Sequence, residues 1–200
     1  MEYNAEKKEI ILNRKLSDLD NFVIDFIEIV KKHVKYVIIS GYVSILLGRS
    51  RSTEDVDLFI KKMNEFEFLK MYEELDKHGF WCINTSNPKE MFSYLIDGLA
   101  IRFARKNNSI PNFEVKFPKD TLDESSFEDN LLIILPENKK LIISSLERHI
   151  AFKKHYLGSD KDMEDAVYVE HLFKDKIDYD KVNKLVSLIK LRNKLKKRAK

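Results

Sequence analysis

Two carboxylates one residue apart, Asp55 and Asp57, open the apolar run Val56, Leu58, Phe59, Ile60. Side chains alternate along an extended strand, so both acids point to one face. Asp is disfavoured in strands, and an acid hemmed in by apolar neighbours needs a partner. A divalent cation is such a partner. Mg²⁺ takes one or two carboxylates and completes its shell with water and substrate phosphates. Upstream, Val37 to Ile39 feeds into Ser40-Gly41 and a short apolar helix, Tyr42 to Leu47, closed by Gly48. Glycine lets backbone approach a ligand, and the free N–H groups at a helix start favour an anion. An ordinary strand-to-helix turn would look the same; the acids that follow give this one its weight. Arg49 and Arg51 lie between turn and acids. A guanidinium fork suits a phosphate or a carboxylate, and a surface loop paired with Glu54 is the plainer alternative.

The stretch Ile39 to Ile60 resembles the DNA polymerase beta-like nucleotidyltransferase superfamily, whose signature is a Gly-Gly or Gly-Ser turn followed by Asp-x-Asp on the next strand. The closer likeness is to AbiEii-type proteins: Gly-Gly-Tyr-Ala, a helix, Gly, Arg, then Thr-x-Asp-Ile-Asp. Here the pattern reads Ser40-Gly41-Tyr42-Val43, Gly48, Arg51 and Thr53-Glu54-Asp55-Val56-Asp57, with Ser40 in place of the first Gly. The resemblance implies transfer of a nucleoside monophosphate from an NTP, such as ATP, to a hydroxyl acceptor. It implies Mg²⁺, or Mn²⁺, at Asp55 and Asp57, and Ser40, Gly41, Arg51 and Thr53 around the nucleotide. It also implies a third carboxylate on a later strand. Glu114, at the start of Phe113 to Phe117, fits that place with Glu for the usual Asp, and Asp97 is the runner-up. Lys116 shares Glu114's face by alternation, so a cross-strand ion pair is the alternative reading. Lys161-Asp162-Met163-Glu164-Asp165 resembles a Lys-Asp-x-x-Asp box, which would bring Lys161 to a phosphate. Without the resemblance these residues read as dipole-complementing acids and an i, i+4 ion pair. The acceptor could be an RNA end such as that of tRNA, a protein or a small molecule. AbiEii-like relatives act in toxin–antitoxin pairs, which implies a toxin with a cognate antitoxin protein as partner. The alternative is a catalytically inactive nucleotide- or RNA-binding protein on the same fold.

Composition narrows the setting. Of 200 residues 44% are hydrophobic, enough for a core, and 34% are charged. The single cysteine, Cys82, excludes an internal disulfide and a thiolate metal cage. With no apolar leader and no run of membrane-spanning length, the expectation is a cytoplasmic protein without membrane contact. Lys190 to Lys200 holds seven basic residues and no acid, so against a net charge of +3 the first 189 residues carry −4. Such a tail suits nucleic acid, or simply the C-terminal end of a helix.

The positioning elements follow from periodicity. Residues 1–16 are polar around Ile10-Ile11-Leu12, a short helix or an arm. Leu19, Phe22, Val23, Phe26, Ile27 and Val30 predict an amphipathic helix over 18–33. A strand over 35–39, the Asp55 to Ile60 strand, a helix from Asn64 to Lys77 and a strand over 80–83 come next. A Pro88-initiated helix precedes strands over 99–105 and 113–117. Residues 118–130 read as a loop or short helix, Leu131 to Ile143 as a hairpin, and Ser144 with Glu147 as a capping box starting a helix. Two more helices complete the chain. The predicted fold class is α/β (α+β): a small mixed sheet flanked by helices over 1–125, and a mostly helical region with a basic tail over 126–200.

Overall fold

The computed structural model describes residues 1–198. Ala199 and Lys200, the end of the basic tail, lie outside the described residues. Nine strands form one mixed sheet: β1 (Glu2–Asn4), β2 (Glu9–Ile11), β3 (Tyr36–Ile39), β4 (Asp55–Ile60), β5 (Phe80–Cys82), β6 (Ile101–Arg105), β7 (Asn112–Lys116), β8 (Asn130–Ile134) and β9 (Lys140–Ser144). Their spatial order is β1-β2-β8-β9-β3-β4-β7-β6-β5. The arm or short helix expected over 1–16 is instead a β1–β2 hairpin, with β2 parallel to β8. Three residues of apolar sequence carry no usable period, and it is burial of Ile10 that selects a strand. The sheet also runs past residue 125: β8 and β9 belong to it, and β9 lies beside β3.

Among the described residues eight α-helices surround the sheet: α1 (Asp18–Val30), α2 (Gly41–Leu46), α3 (Glu65–Lys77), α4 (Pro88–Ile96), α5 (Thr121–Glu124), α6 (Leu146–Phe152), α7 (Asp160–Leu172) and α8 (Tyr179–Arg198). Capping boxes start α1 (Ser17, Asp20), α3 (Asn64, Glu67) and α7 (Ser159, Asp162). The cap of α6 is Ser145 rather than Ser144, which closes β9. Glu147 turns away to accept from the Asp178 N–H and the Lys181 ammonium. α1 lays Phe22 and Phe26 over one face of the sheet. Phe26 stacks on Phe113 at 4.0 Å and meets Phe80 edge-on at 5.0 Å. Buried aromatic pairs of this kind contribute about 1 kcal/mol each beyond their area. In β4, Val56, Leu58 and Ile60 enter this core, while Asp55, Asp57 and Phe59 face the other way. α6 and the helices after it cover that second face.

Candidate active site

Register builds the acidic cluster. β3 and β4 are antiparallel with Ile39 opposite Asp57, and β4 and β7 are parallel with Asp57 opposite Glu114. Asp55, Asp57 and Glu114 therefore share one face, on adjacent strands. Thr53 Oγ1 donates to the Asp55 carbonyl and to Asp55 Oδ1, each at 3.1 Å, so Thr53 positions the first acid. Asp57 Oδ1 accepts from Lys116 Nζ at 2.7 Å. Glu114 Oε1 accepts from Arg102 Nε at 2.9 Å, and Glu114 Oε2 faces Lys116 Nζ at 3.7 Å. Burial opposes the charge on Lys116, but Asp57 and Glu114 outweigh it and raise its pKa. The Asp55–Asp57 pair suits one divalent cation that draws its other ligands from water and phosphate. Each oxygen of Glu114 faces a cation, Arg102 on one side and Lys116 on the other, and Lys116 is shared with Asp57. Among the described residues no three Asp, Glu, His or Cys side chains converge as a metal cage.

Beside the acids a cavity of about 250 Å³ separates the sheet from the helical half. Ile39, Ser40, Asp57, Phe59 and Lys116 form its floor; Arg148, His149, Phe152 and Lys153 of α6 and the following turn, with Tyr156 and Arg192, form its roof. Lys116, Lys119, Arg148, Lys153 and Arg192 face it against two acids, Asp57 and Asp123. Two lining atoms are buried without a hydrogen-bond partner, Ser126 Oγ and His149 Nδ1. Nε of Arg148 and of Arg192 lacks hydrogen-bond geometry too, yet each meets a carboxylate as an ion pair, Asp129 at 3.4 Å and Asp120 at 2.9 Å. The ion pairs account for these two. Arg192 also donates to Asp123 at 2.8 Å and lies over the Tyr156 ring at 4.7 Å. A positive, partly aromatic cavity with free polar atoms is suited to an anionic ring-bearing ligand.

Ser40 sits at φ 63°, ψ −140°, a conformation that costs a non-glycine residue about 1–3 kcal/mol and collects at functional turns. A Cβ at Gly41 would meet the tip of the Arg51 side chain, which would have to shift. Arg51 does not face the cavity. Its Nε and terminal nitrogen donate to Asp165 at 3.0 and 2.9 Å, and Arg49 joins the same carboxylate. Lys161 also lies away from the cavity lining, with only its backbone carbonyl engaged, by Arg49. Lys153, eight residues earlier, is the lysine brought to the cavity, paired with Asp162 at 2.6 Å and Asp165 at 2.9 Å. Asp97 closes α4 at a turn. Of the residues named from sequence, the structure unites Ser40, Asp57 and Glu114 closely, with Asp55 and Thr53 at the edge. Arg148, His149, Lys153 and Arg192 were not anticipated. The signal was there: 145, 148, 149, 152, 153 and 156 mark one helical face.

No family model matches the chain, and no curated protein matches it. Solved structures do match, two of them over nearly the whole chain. The solution structure of the antibiotic-resistance factor ANT(2'')-Ia is 12% identical and covers 92% of this chain and 98% of its own, with a TM-score of 0.51. The crystal structure of an antigenic nucleotidyltransferase-like protein from Paracoccidioides brasiliensis is 16% identical and covers 91% and 93%, also at 0.51. The chain has a nucleotidyltransferase-type fold. At such identities the likeness concerns architecture, and the case for chemistry rests on the side chains. Among the described residues no helix is long and apolar enough to cross a membrane.

Proposed function

We propose that this chain transfers a nucleoside monophosphate from an NTP to a hydroxyl acceptor, with a divalent cation, Mg²⁺ or Mn²⁺, at Asp55 and Asp57. The observation that carries the reading is the pair itself: two same-face carboxylates of one strand, the second lining a cationic cavity on a nucleotidyltransferase-type fold. An ion held by Asp55 and Asp57 would supply neutralisation of phosphate charge. The acceptor hydroxyl oxygen would bond to the α-phosphorus as the α–β bridging P–O bond breaks, with pyrophosphate leaving and the hydroxyl proton passing to water. The chain's own part is positioning and electrostatics. Thr53 holds Asp55. Lys119 and Lys153 offer charge to phosphates, and Phe59, Phe152 and Tyr156 offer faces to a base. The cavity's charge favours an anionic occupant over a polycationic one. A toxin role beside an antitoxin protein, and an RNA acceptor such as tRNA, rest on the AbiEii-like pattern alone.

The test is incubation with each α-labelled NTP and Mg²⁺ or Mn²⁺, with and without total tRNA. Label should pass to RNA or to the protein, and Asp57→Asn should lower transfer by about 100-fold or more, as loss of one electrostatic group at a reacting centre does. A second reading, a nucleotide- or RNA-binding protein without turnover, draws on the occupied Glu114. It predicts no transfer, and partner affinity unchanged in Asp57→Asn.

A further inference from the structure

The carboxylate cluster contains its own cations. Parallel pairing of β4 with β7 sets Phe59 opposite Lys116 and Asp57 opposite Glu114, and antiparallel pairing of β6 with β7 sets Arg102 opposite Glu114. Lys116 therefore rises between the second and third carboxylates, 2.7 Å from Asp57 Oδ1 and 3.7 Å from Glu114 Oε2. Arg102 closes the other oxygen of Glu114. The Lys116 side chain is only 22% exposed, so water screens these attractions weakly. Three carboxylates against the enclosed Lys116 and the exposed Arg102 leave the cluster at formal charge −1, and one divalent ion brings it to +1. Without Lys116, and with Arg102 kept, the cluster stands at −2; one divalent ion at Asp55–Asp57 brings it only to 0, and the place between Asp57 and Glu114 then holds no cation.

We propose that Lys116 is a resident cation occupying the place of a second divalent ion, so that the chain binds one such ion, at Asp55–Asp57, and not two. Glu114 then serves as the anchor of Lys116 and Arg102 rather than as a metal ligand. The proposal rests on the reading of Asp55 and Asp57 as ligands. It makes Lys116 a charge-supplying residue at the reacting centre and predicts that removing it opens a second ion site built from Asp57 and Glu114.

The experiment counts bound Mn²⁺ per chain by loss of the free-ion electron paramagnetic resonance signal, titrating Mn²⁺ alone into the full chain up to the millimolar range. Wild type should bind one ion and Asp57→Asn none. Lys116→Met and Lys116→Gln should each bind two, Lys116→Arg one, and Lys116→Met with Glu114→Gln one again. Thermal melts identify any variant that has lost its fold, and the wild-type count decides without them. Two ions on wild type, or one on folded Lys116→Met and Lys116→Gln, would overturn the resident-cation proposal while leaving Asp55 and Asp57 as ligands. No ion on wild type would remove the ligand reading itself, and the proposal with it.

Discussion

His149 shows how far a residue can be from what its type suggests. It lies on α6 with Nε2 at 2.9 Å from Ser44 Oγ, wholly enclosed. Burial pushes its pKa down to about 3; Lys153 and Arg51 push the same way, and Asp165 and Asp162 resist. In the unfolded chain a histidine takes its proton near pH 6.5. Below that pH the unfolded state binds a proton that the folded state refuses until about pH 3, so stability falls as pH falls through this window. The slope is about 1.4 kcal/mol per pH unit, or about 2 kcal/mol between pH 6.5 and 5. Urea unfolding of wild type and His149→Gln across that range checks this; parallel pH profiles would refute it. The same residue marks the limit of sequence reading. The common face of Asp55 and Asp57 was legible because acids inside an apolar alternation stand out, and strand alternation places both on one side. A histidine or lysine on a helix reads as solvated, and only the sheet packed over α6 makes His149 and Lys153 interior.

At the scale of elements, most starts were legible where a side chain caps them. Asn64 with Glu67, and Asn87 before Pro88, open α3 and α4 at the expected places. Where two serines adjoin, the β9–α6 junction was misplaced by one residue, because pairing of Asn130 with Ser144 extends the strand. The charges that tie elements together were the least legible. Asp165 of α7 is fully buried and receives Arg49, Arg51 and Lys153 from the loop before β4 and from the turn after α6. Burial alone would raise its pKa, but hydrogen bonds from Arg51, Lys153 and Arg49 outweigh it and hold the value at about 2. Local spacing had suggested a surface pair with Lys161 instead. Asp165→Asn would strand buried cations and should cost about 3 kcal/mol. Glu164→Gln, which removes only the exposed partner of Arg49, should change stability by less than about 0.5 kcal/mol. Chemical denaturation of the two variants separates them; equal effects would mean that the buried node ties nothing.

At the scale of the molecule, the sheet decides what can stand alone. An α/β part over 1–125 followed by a helical part is a fair reading of composition, since hydrophobic period changes near that point. Strand partners many residues apart leave no trace in period, and here they cross the proposed boundary. β9 pairs with β3 through Ile38 and Ile143, and β2 pairs with β8. Beyond the sheet, Arg148 donates to the Leu122 carbonyl at 2.8 Å, and Arg192 to Asp123. The cavity itself has its floor in one half and its roof in the other. A fragment of residues 1–125 would expose the edges of β2 and β3, the apolar Ile10 and Ile38, and an unpaired buried Asp123. Exposed, apolar strand edges invite intermolecular pairing. The fragment should therefore aggregate or lack a cooperative thermal transition, while the full chain melts in one step. Co-expression of 1–125 with 126–200 should restore a soluble complex, because the cut, inside the single 3-10 turn Ser125–Phe127, leaves every strand pairing intact. A monomeric fragment 1–125 with its own sharp transition would show that the first half carries a complete core, and would return the boundary to where composition placed it.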